Sequence, residues 1–324
     1  FYRIKNVKIK GLSLFFTQIK VQRLVNSLVD KNQLDILETP DWTGFSSNIK
    51  AKCPLVIKLH GSDTYFCHLD KRPVKFLNKY NEKKALKTAD AITSVSEYTA
   101  NVTKELFELN RKIEVIPNSI DLQKFSATES NSDHIILYFG TLIRKKGLLE
   151  LPLIFNEVFK QNKKAKLVLV GKDTSDTLSG NDSTWTMMQN LFDTKAFENV
   201  TYLGSVSYDE IKELIGNTTL CVFPTFAEAL PVSWIEAMAM EKPIVASDIG
   251  WAKEIIDNGK DGYLVNPKSH NEFADKINEL LLNSDLRLKF GKAAREKVEY
   301  RFSLEVVANQ NVVFYRKVIS NRKR

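Results

Sequence analysis

The sequence predicts an α/β protein of two Rossmann-like, doubly wound parallel-sheet domains, and three observations carry that prediction. Short runs rich in Val and Ile alternate with longer helical patterns, which implies parallel strands joined by right-handed crossovers. The strand candidates lack polar alternation, as strands covered on both faces do. The pattern stops and restarts across SATESNSDH (126–134), a polar join. At 324 residues the chain is long enough for two cores. The expected division is 1–130, 131–300, and a final helix over 301–324 that crosses back to the first domain.

The elements follow in order. LSLFFTQIKVQRLVNSLV (12–29) has helical spacing, with Leu14, Phe15, Leu24, Val25 and Leu28 apolar and Lys20 and Arg23 among them. It reads either as a core helix covering the sheet or as a helix lying on an anionic bilayer. PLVIKLHG (54–61) is a buried strand, NEKKALKTADAI (81–92) a helix leading into the strand AITSVS, and IEVIPN (113–118) another short strand. The second series runs IILYFG (135–140), a helix over 146–161, KLVLVG (166–171), a helix near 184–197, VTYLG (200–204), and a helix over 208–216. TLCVFPT (219–225), a helix over 231–240 and PIVAS (243–247) complete it. GKDTSDTLSGNDST (171–184) reads as a polar surface loop. Two such domains in series place a ligand cleft between them, outside the carboxyl ends of the strands.

Composition narrows the function. Hydrophobic residues at 43% and charged residues at 27% are ordinary for a globular protein. No run of eighteen apolar residues exists, so a transmembrane helix is not expected. Cys53, Cys67 and Cys221 are scattered without metal-ligand spacing, which suits buried thiols in a reducing compartment. The net charge of +8 is uneven: residues 1–130 hold 21 Lys+Arg against 14 Asp+Glu, and 131–324 hold 26 against 25. The first part is therefore expected to meet an anionic partner, such as a membrane face or a phosphate-bearing acceptor. Nucleic acid is disfavoured, because the cations are not interleaved with an aromatic stacking platform.

Three segments carry candidate chemistry. In FAEALPVSWIEAMA (226–239), Glu228 closes the loop after a strand, Pro231 suits the first turn of a helix, and Glu236 lies within it. A helix N-terminus offers N–H groups and positive dipole to an anion such as a diphosphate. A carboxylate inside the helix can accept hydrogen bonds from a vicinal diol, and on a largely apolar helix it needs a partner. In FGTLIRKKGLLEL (139–151) a strand ends at Gly140, and Lys146-Gly147 opens a helix where a cation can neutralise phosphate. In KLHGSD (58–63), His60 stands at a strand end ahead of Gly61.

Together with DILETPDWTG (35–44), DAITSVSEYTA (90–100), VIPNSID (115–121), LVLVGKD (167–173), VTYLGSVSYDEI (200–211), IVASDIGWAKEII (244–256) and DGYLVNP (261–267), these segments resemble the GT-B glycosyltransferases of retaining family 4. The resemblance runs from about residue 35 to the C-terminus. It implies that Glu236 binds the donor ribose, that Glu228 contacts the transferred sugar, that Lys146 holds the diphosphate, and that His60 is the active-site histidine. It places Gly140 and Thr141 beside the donor, the backbone at Leu230, Val232 and Ser233 against the phosphates, and the loop Gly204, Ser205, Val206 against the base. It also implies a nucleotide-diphosphate sugar donor, UDP- or GDP-linked, and the charge asymmetry adds the expectation of a saccharide or lipid-linked acceptor. A further implication is no metal or other cofactor; the cysteines point to a cytoplasmic protein, and the basic first part allows peripheral contact with the inner face of an anionic membrane. No Asp-x-Asp occurs in the chain. Thr141 stands where the family commonly has Arg, with Arg144 and Lys145 as nearby cations, and Ser119 and Glu241 replace common glycines. The family's opening strand and glycine-rich loop are not found, so several tens of residues are expected to precede Phe1. The competing reading keeps the fold and the nucleotide-sugar site but not the transfer; an epimerase of the same fold is a further alternative.

Overall fold

The computed structural model describes residues 2–6, 9, 12–126 and 134–322; most of the polar join lies outside them. The chain forms two units, Phe1–Asn118 with Val307–Arg324, and Ser119–Val306. The division falls ahead of the polar join, because the intervening segment belongs to the second unit. Ile120 donates to Phe302 O and accepts from Leu304 N, and Phe125 O accepts from Arg295.

The first unit runs α1 (Ser13–Asp30), β1 (Leu37–Pro40), β2 (Leu55–Leu59), α2 (Asp63–Leu69), α3 (Phe76–Thr88), β3 (Ala91–Ser94), α4 (Glu97–Phe107) and β4 (Glu114–Val115). Its strands pair in parallel in the order β1-β2-β3-β4. Ile57, Leu59, Leu86, Ile92 and Phe107 form the core. Ser62 and Ser96 start α2 and α4 by accepting from Tyr65 N and Thr99 N, which satisfies an orphan donor at each start.

The second unit runs β5 (Ile135–Phe139), α5 (Leu151–Gln161), β6 (Lys166–Val170), α6 (Thr184–Gln189), α7 (Thr194–Phe197), β7 (Val200–Tyr202), α8 (Tyr208–Gly216) and β8 (Leu220–Phe223). It continues with α9 (Val232–Ala239), β9 (Ile244–Ser247), α10 (Ala252–Ile255), β10 (Tyr263–Val265), α11 (His270–Leu282) and α12 (Ser284–Arg301). A last helix, α13 (Leu304–Arg322), counts with the first unit from Val307 on. The parallel sheet has the order β10-β9-β8-β5-β6-β7. β8 is buried along its whole length, which accounts for its uninterrupted apolar sequence.

Three helix boundaries differ from those expected. Lys146 does not open a helix; it ends a 3-10 turn (Arg144–Lys146), Gly147 follows at φ +73°, and α5 begins only at Leu151. The helix expected near 184–197 is broken into α6 and α7. There the Asn156 side chain bonds the backbone of the break, donating to Leu191 O and accepting from Asp193 N. Pro231 is the N-cap of α9 rather than a residue of its first turn.

One buried charge cluster ties the second unit together. Lys297 on α12 is 5% exposed, and its ammonium meets Asp261, Asp257 (2.9 Å) and Ile255 O (3.2 Å). Removing the cation leaves the Asp261 carboxyl buried without its counter-charge. Lys297→Ala is therefore expected to cost about 3 kcal/mol in urea unfolding, as for one-sided loss of a buried pair. A loss comparable to an exposed substitution would show that the pair is not a structural support.

Candidate functional site

The sheet order of the second unit reverses between β5 and β8: the chain winds one way from β5 to β7 and the other way from β8 to β10. Such a switch point leaves the loops after the two central strands facing one place, and ligands of open α/β sheets bind there. The loops are 140–147 after β5 and 224–231 after β8, the segments singled out in the sequence.

Glycine brings these loops together. Gly140, Gly171 and Gly204 end β5, β6 and β7, and are linked by Gly140 N to Val170 O (2.9 Å) and Gly171 N to Gly204 O (2.8 Å). A Cβ on Gly171 would stand 1.9 Å from Gly140 O, and one on Gly147 would stand 1.8 Å from Pro224 O. Backbone packs directly on backbone at both points, which only glycine permits. Phe226 N and Ala227 N then donate to Lys145 O, clipping the β8 loop onto the β5 loop.

This contact places Lys146 and Glu228 side by side, with Nζ and Oε1 3.1 Å apart and both side chains largely shielded. Lys146 Nζ also lies against Gly140, 3.3 Å from where a Cβ would be. The Tyr138 hydroxyl donates to Thr141 O (3.1 Å), fixing the backbone turn after Gly140. Thr141 is half-buried.

The β8 loop ends at Pro231, and α9 starts without a side-chain cap. Val232 is exposed and Ser233 half-buried at the first turn, whereas Leu230 is buried under it. The N–H groups of Val232 and Ser233 and the helix dipole present positive potential at the same loop junction. Glu236 sits one turn further along and is 7% exposed. Its partner is Tyr208, the first residue of α8, whose hydroxyl donates to Glu236 Oε1 (2.6 Å). Burial raises the Glu236 pKa, while the Tyr208 hydrogen bond and the Lys146 charge oppose the rise. The Tyr208 ring is itself set edge-on against Phe125 (5.7 Å). Of the β7 loop, Gly204 has open space at its Cα, Ser205 is exposed, and Val206 is half-buried ahead of the Ser207 capping box of α8.

The second unit thus gathers Gly140, Thr141, Lys146, Glu228, Leu230, Val232, Ser233 and Glu236 around one pair of strand ends, with Gly204–Val206 at the next strand along. Arg144 does not join them. Its guanidinium forks onto Asp176 (2.7 and 2.9 Å), a side chain 3% exposed, whose carboxyl it holds well below the usual range. Of the two cations near the position of the missing arginine, Arg144 is committed to anchoring the 171–184 loop. Tyr208 was missed in the sequence; its signal was an aromatic at the first position of the helix after VTYLG.

His60 belongs to the first unit, at the carboxyl end of β2. Asp41, 2% exposed, accepts from His60 N (3.0 Å), and burial pushes its carboxyl up to about 7. Glu82 on α3 accepts from Thr43 N, Asp63 N and Thr64 N, tying the segments after β1 and β2 to one carboxylate. Desolvation lowers the His60 pKa, and Lys58 adds to the effect. Among the described residues no group of three His, Cys, Asp or Glu side chains could hold a metal ion.

Residues 119–297 match the family described as "Glycosyl transferases group 1", and residues 3–124 match "Glycosyltransferase Family 4". The chain is 28% identical over 247 residues to the capsular polysaccharide biosynthesis glycosyltransferase CapM of Staphylococcus aureus, covering 70% of this chain but only 61% of CapM. It is 24% identical to N-acetyl-alpha-D-glucosaminyl L-malate synthase of Bacillus anthracis, over 85% of this chain and 71% of that enzyme. Its fold is that of sucrose-phosphate synthase from Thermosynechococcus elongatus, with TM-score 0.78 and 21% identity over 97% of this chain and 81% of the other. Anabaena HepE in complex with UDP and glucose superposes with TM-score 0.74 and 21% identity, over 95% and 84%.

The Tyr208–Glu236 pair gives a direct test of the site's electrostatics. A hydroxyl donating to a carboxylate favours the ionised form. Tyr208→Phe is therefore expected to move the Glu236 pKa further up, so that the carboxyl protonates at a higher pH than in the parent chain. Carbon-detected NMR titration of the Glu236 carboxyl reads this; an unchanged or lowered midpoint would show that the hydroxyl does not support the charge.

Proposed function

The chain belongs to the glycosyl transferases group 1 family, and we propose that it transfers a sugar from a nucleoside-diphosphate sugar to a saccharide or lipid-linked acceptor, with retention at the anomeric carbon. The observation that carries the proposal is the meeting of Lys146, the uncapped start of α9 and two carboxylates at one sheet switch point.

Each group has a task that its placement supports. Glu236 is shielded, yet Tyr208 uses only Oε1, so Oε2 is available to a ribose diol. Lys146 and the first N–H groups of α9 are aimed at the diphosphate, with the backbone at Leu230, Val232 and Ser233 lining it and Gly140 and Thr141 allowing close approach. The Gly204–Val206 loop takes the base. As the bond from the anomeric carbon to the phosphate oxygen breaks, positive charge grows on the sugar ring and negative charge on the leaving diphosphate. Fixed donors directed at the diphosphate stabilise that separation without reorganising. Glu228 faces the sugar and in the resting site neutralises Lys146. His60 is assigned to the sugar side by the family resemblance, with Asp41 fixing its backbone. The positive charge comes from the chain itself, so transfer is proposed to need no divalent metal. Cys53, Cys67 and Cys221 are buried free thiols, in keeping with the proposed cytoplasmic setting.

A second reading, nucleotide-sugar binding without transfer, draws on Thr141 and on the commitment of Arg144 to Asp176, which leave less positive charge at the diphosphate.

Isothermal titration with UDP and with GDP, with and without EDTA, separates the readings. Saturable binding of one nucleotide, insensitive to EDTA, is expected, and Glu236→Ala should weaken it between about tenfold and a hundredfold, the range for a charged hydrogen-bonding partner. Binding that survives Glu236→Ala undiminished would place the nucleotide elsewhere. Glu228→Gln is expected to leave nucleotide affinity within a few-fold of the parent and to lower turnover by two orders of magnitude or more, in the range of about 10²–10³ seen for loss of one preorganised electrostatic group. Proton NMR of the product's anomeric signal reads the stereochemistry; an inverted product would refute retention, and binding without product would select the second reading.

A further inference from the structure

The first unit leaves large apolar side chains in water where its unpaired cations gather. Phe76, Leu77 and Tyr80, in the first turns of α3, are 83%, 63% and 55% exposed, and the Phe76 and Tyr80 rings stack on each other at 6.4 Å. Exposed aromatics in one cluster are uncommon on a surface that faces only solvent. Lys71, Lys75 and Lys79 surround them, all exposed; none forms an ion pair among the described residues, and Lys79 only adds to the field at Glu108, which pairs with Lys83. The nearby acids are already engaged. Asp63 and Asp70 pair with Arg72, and Glu82 is buried and takes backbone N–H groups.

A second apolar group lies at the same end of the unit. Leu12, Phe15 and Phe16 are exposed at the start of α1, which buries only Thr17, Gln18 and Val25. A polar relay links the two helices: Asn48 donates to Gln18 on α1 (2.9 Å) and accepts from Lys84 on α3 (2.6 Å). Beyond the relay both helices run to the start of β2. Asn26 of α1 bonds the backbone of Lys50 and Lys52, and Asp90, just after α3, bonds both backbone groups of Leu55. Their N-terminal turns therefore project together from the opposite end, the carboxyl end of β2. Neither helix is long and apolar enough to cross a membrane.

We propose that this end of the first unit, the first turns of α3 and α1, docks on an anionic lipid surface, with Phe76, Leu77 and Phe15 entering the interface and Lys75 and Lys79 meeting the headgroups. Apolar side chains supply burial at the acyl boundary, and each lysine near a negative surface adds attraction that salt screens. The inference goes beyond the proposed transfer reaction and does not depend on it.

Vesicle co-sedimentation of the full chain tests it, with phosphatidylcholine alone and with phosphatidylcholine mixed with phosphatidylglycerol. Binding is expected only to the anionic vesicles and should fall as salt is raised. Lys75→Glu with Lys79→Glu, and separately Phe76→Ser with Leu77→Ser, should each weaken it by roughly tenfold or more, from about 1 kcal/mol per lysine near the surface and the lost apolar insertion. Lys289→Glu with Lys292→Glu, exposed on α12 of the other unit, makes the same charge change and should have no comparable effect. Circular dichroism and UDP or GDP titration of the α3 variants verify that fold and nucleotide site are intact. The proposal is overturned if anionic vesicles are not bound, if both vesicle types bind equally, or if the α12 variant loses as much as the α3 variants. Binding of a nucleic acid or a protein by α3 in place of vesicles would also overturn it.

Discussion

Two backbone contacts in the second unit, Gly171 on Gly140 and Gly147 on Pro224, are the constraint on which the site depends. At each, a single methylene would overlap a carbonyl oxygen by more than an ångström of van der Waals distance. Because the β5 and β8 loops close on each other at this range, a cation from one loop and a carboxylate from the other share a shielded space. The sheet order supplies the rest, since at the reversal between β5 and β8 the crossover connections leave to opposite faces of the sheet and open a crevice beside the joined loops.

The electrostatics of the site are balanced rather than uniformly positive. Burial raises the Glu236 pKa, while the Tyr208 hydrogen bond and the Lys146 charge oppose the rise. Lys146 is held by Glu228 across the two loops. Arg144 is removed from that balance by Asp176 and spent on ordering the long polar loop. The ordering is local, because the same carboxylate also accepts from Ser179 N and Oγ.

The first unit solves a different problem. Its polar groups at the carboxyl ends of β1 and β2 are gathered on Glu82 and Asp41, two shielded carboxyls whose pKa values burial raises. These inward-facing acids organise the turns around His60 without neutralising the lysines outside. The outer surface of α3 is left basic and apolar at once.

The sequence by itself determined the class of fold and most of its strands, because strands buried on both faces must be apolar without interruption, and that signal is local. It also marked the segments that the fold brings to the switch point of the second sheet, since Lys146, Glu228 and Glu236 follow strand ends in recognisable motifs. The helix boundaries after β5 and β6 were not legible. A 3-10 turn at Arg144–Lys146 and the break between α6 and α7 are stabilised by partners distant in the chain, Pro224 O against Gly147 and the Asn156 side chain against Leu191 and Asp193. The fate of Arg144 was likewise undecided, because nothing local distinguishes a cation free for phosphate from one paired to Asp176. Tyr208 as the partner of Glu236, and the shared end of α1 and α3, were decided only by tertiary structure. Both depend on residues far apart in sequence being held within hydrogen-bonding distance, which no spacing along the chain encodes.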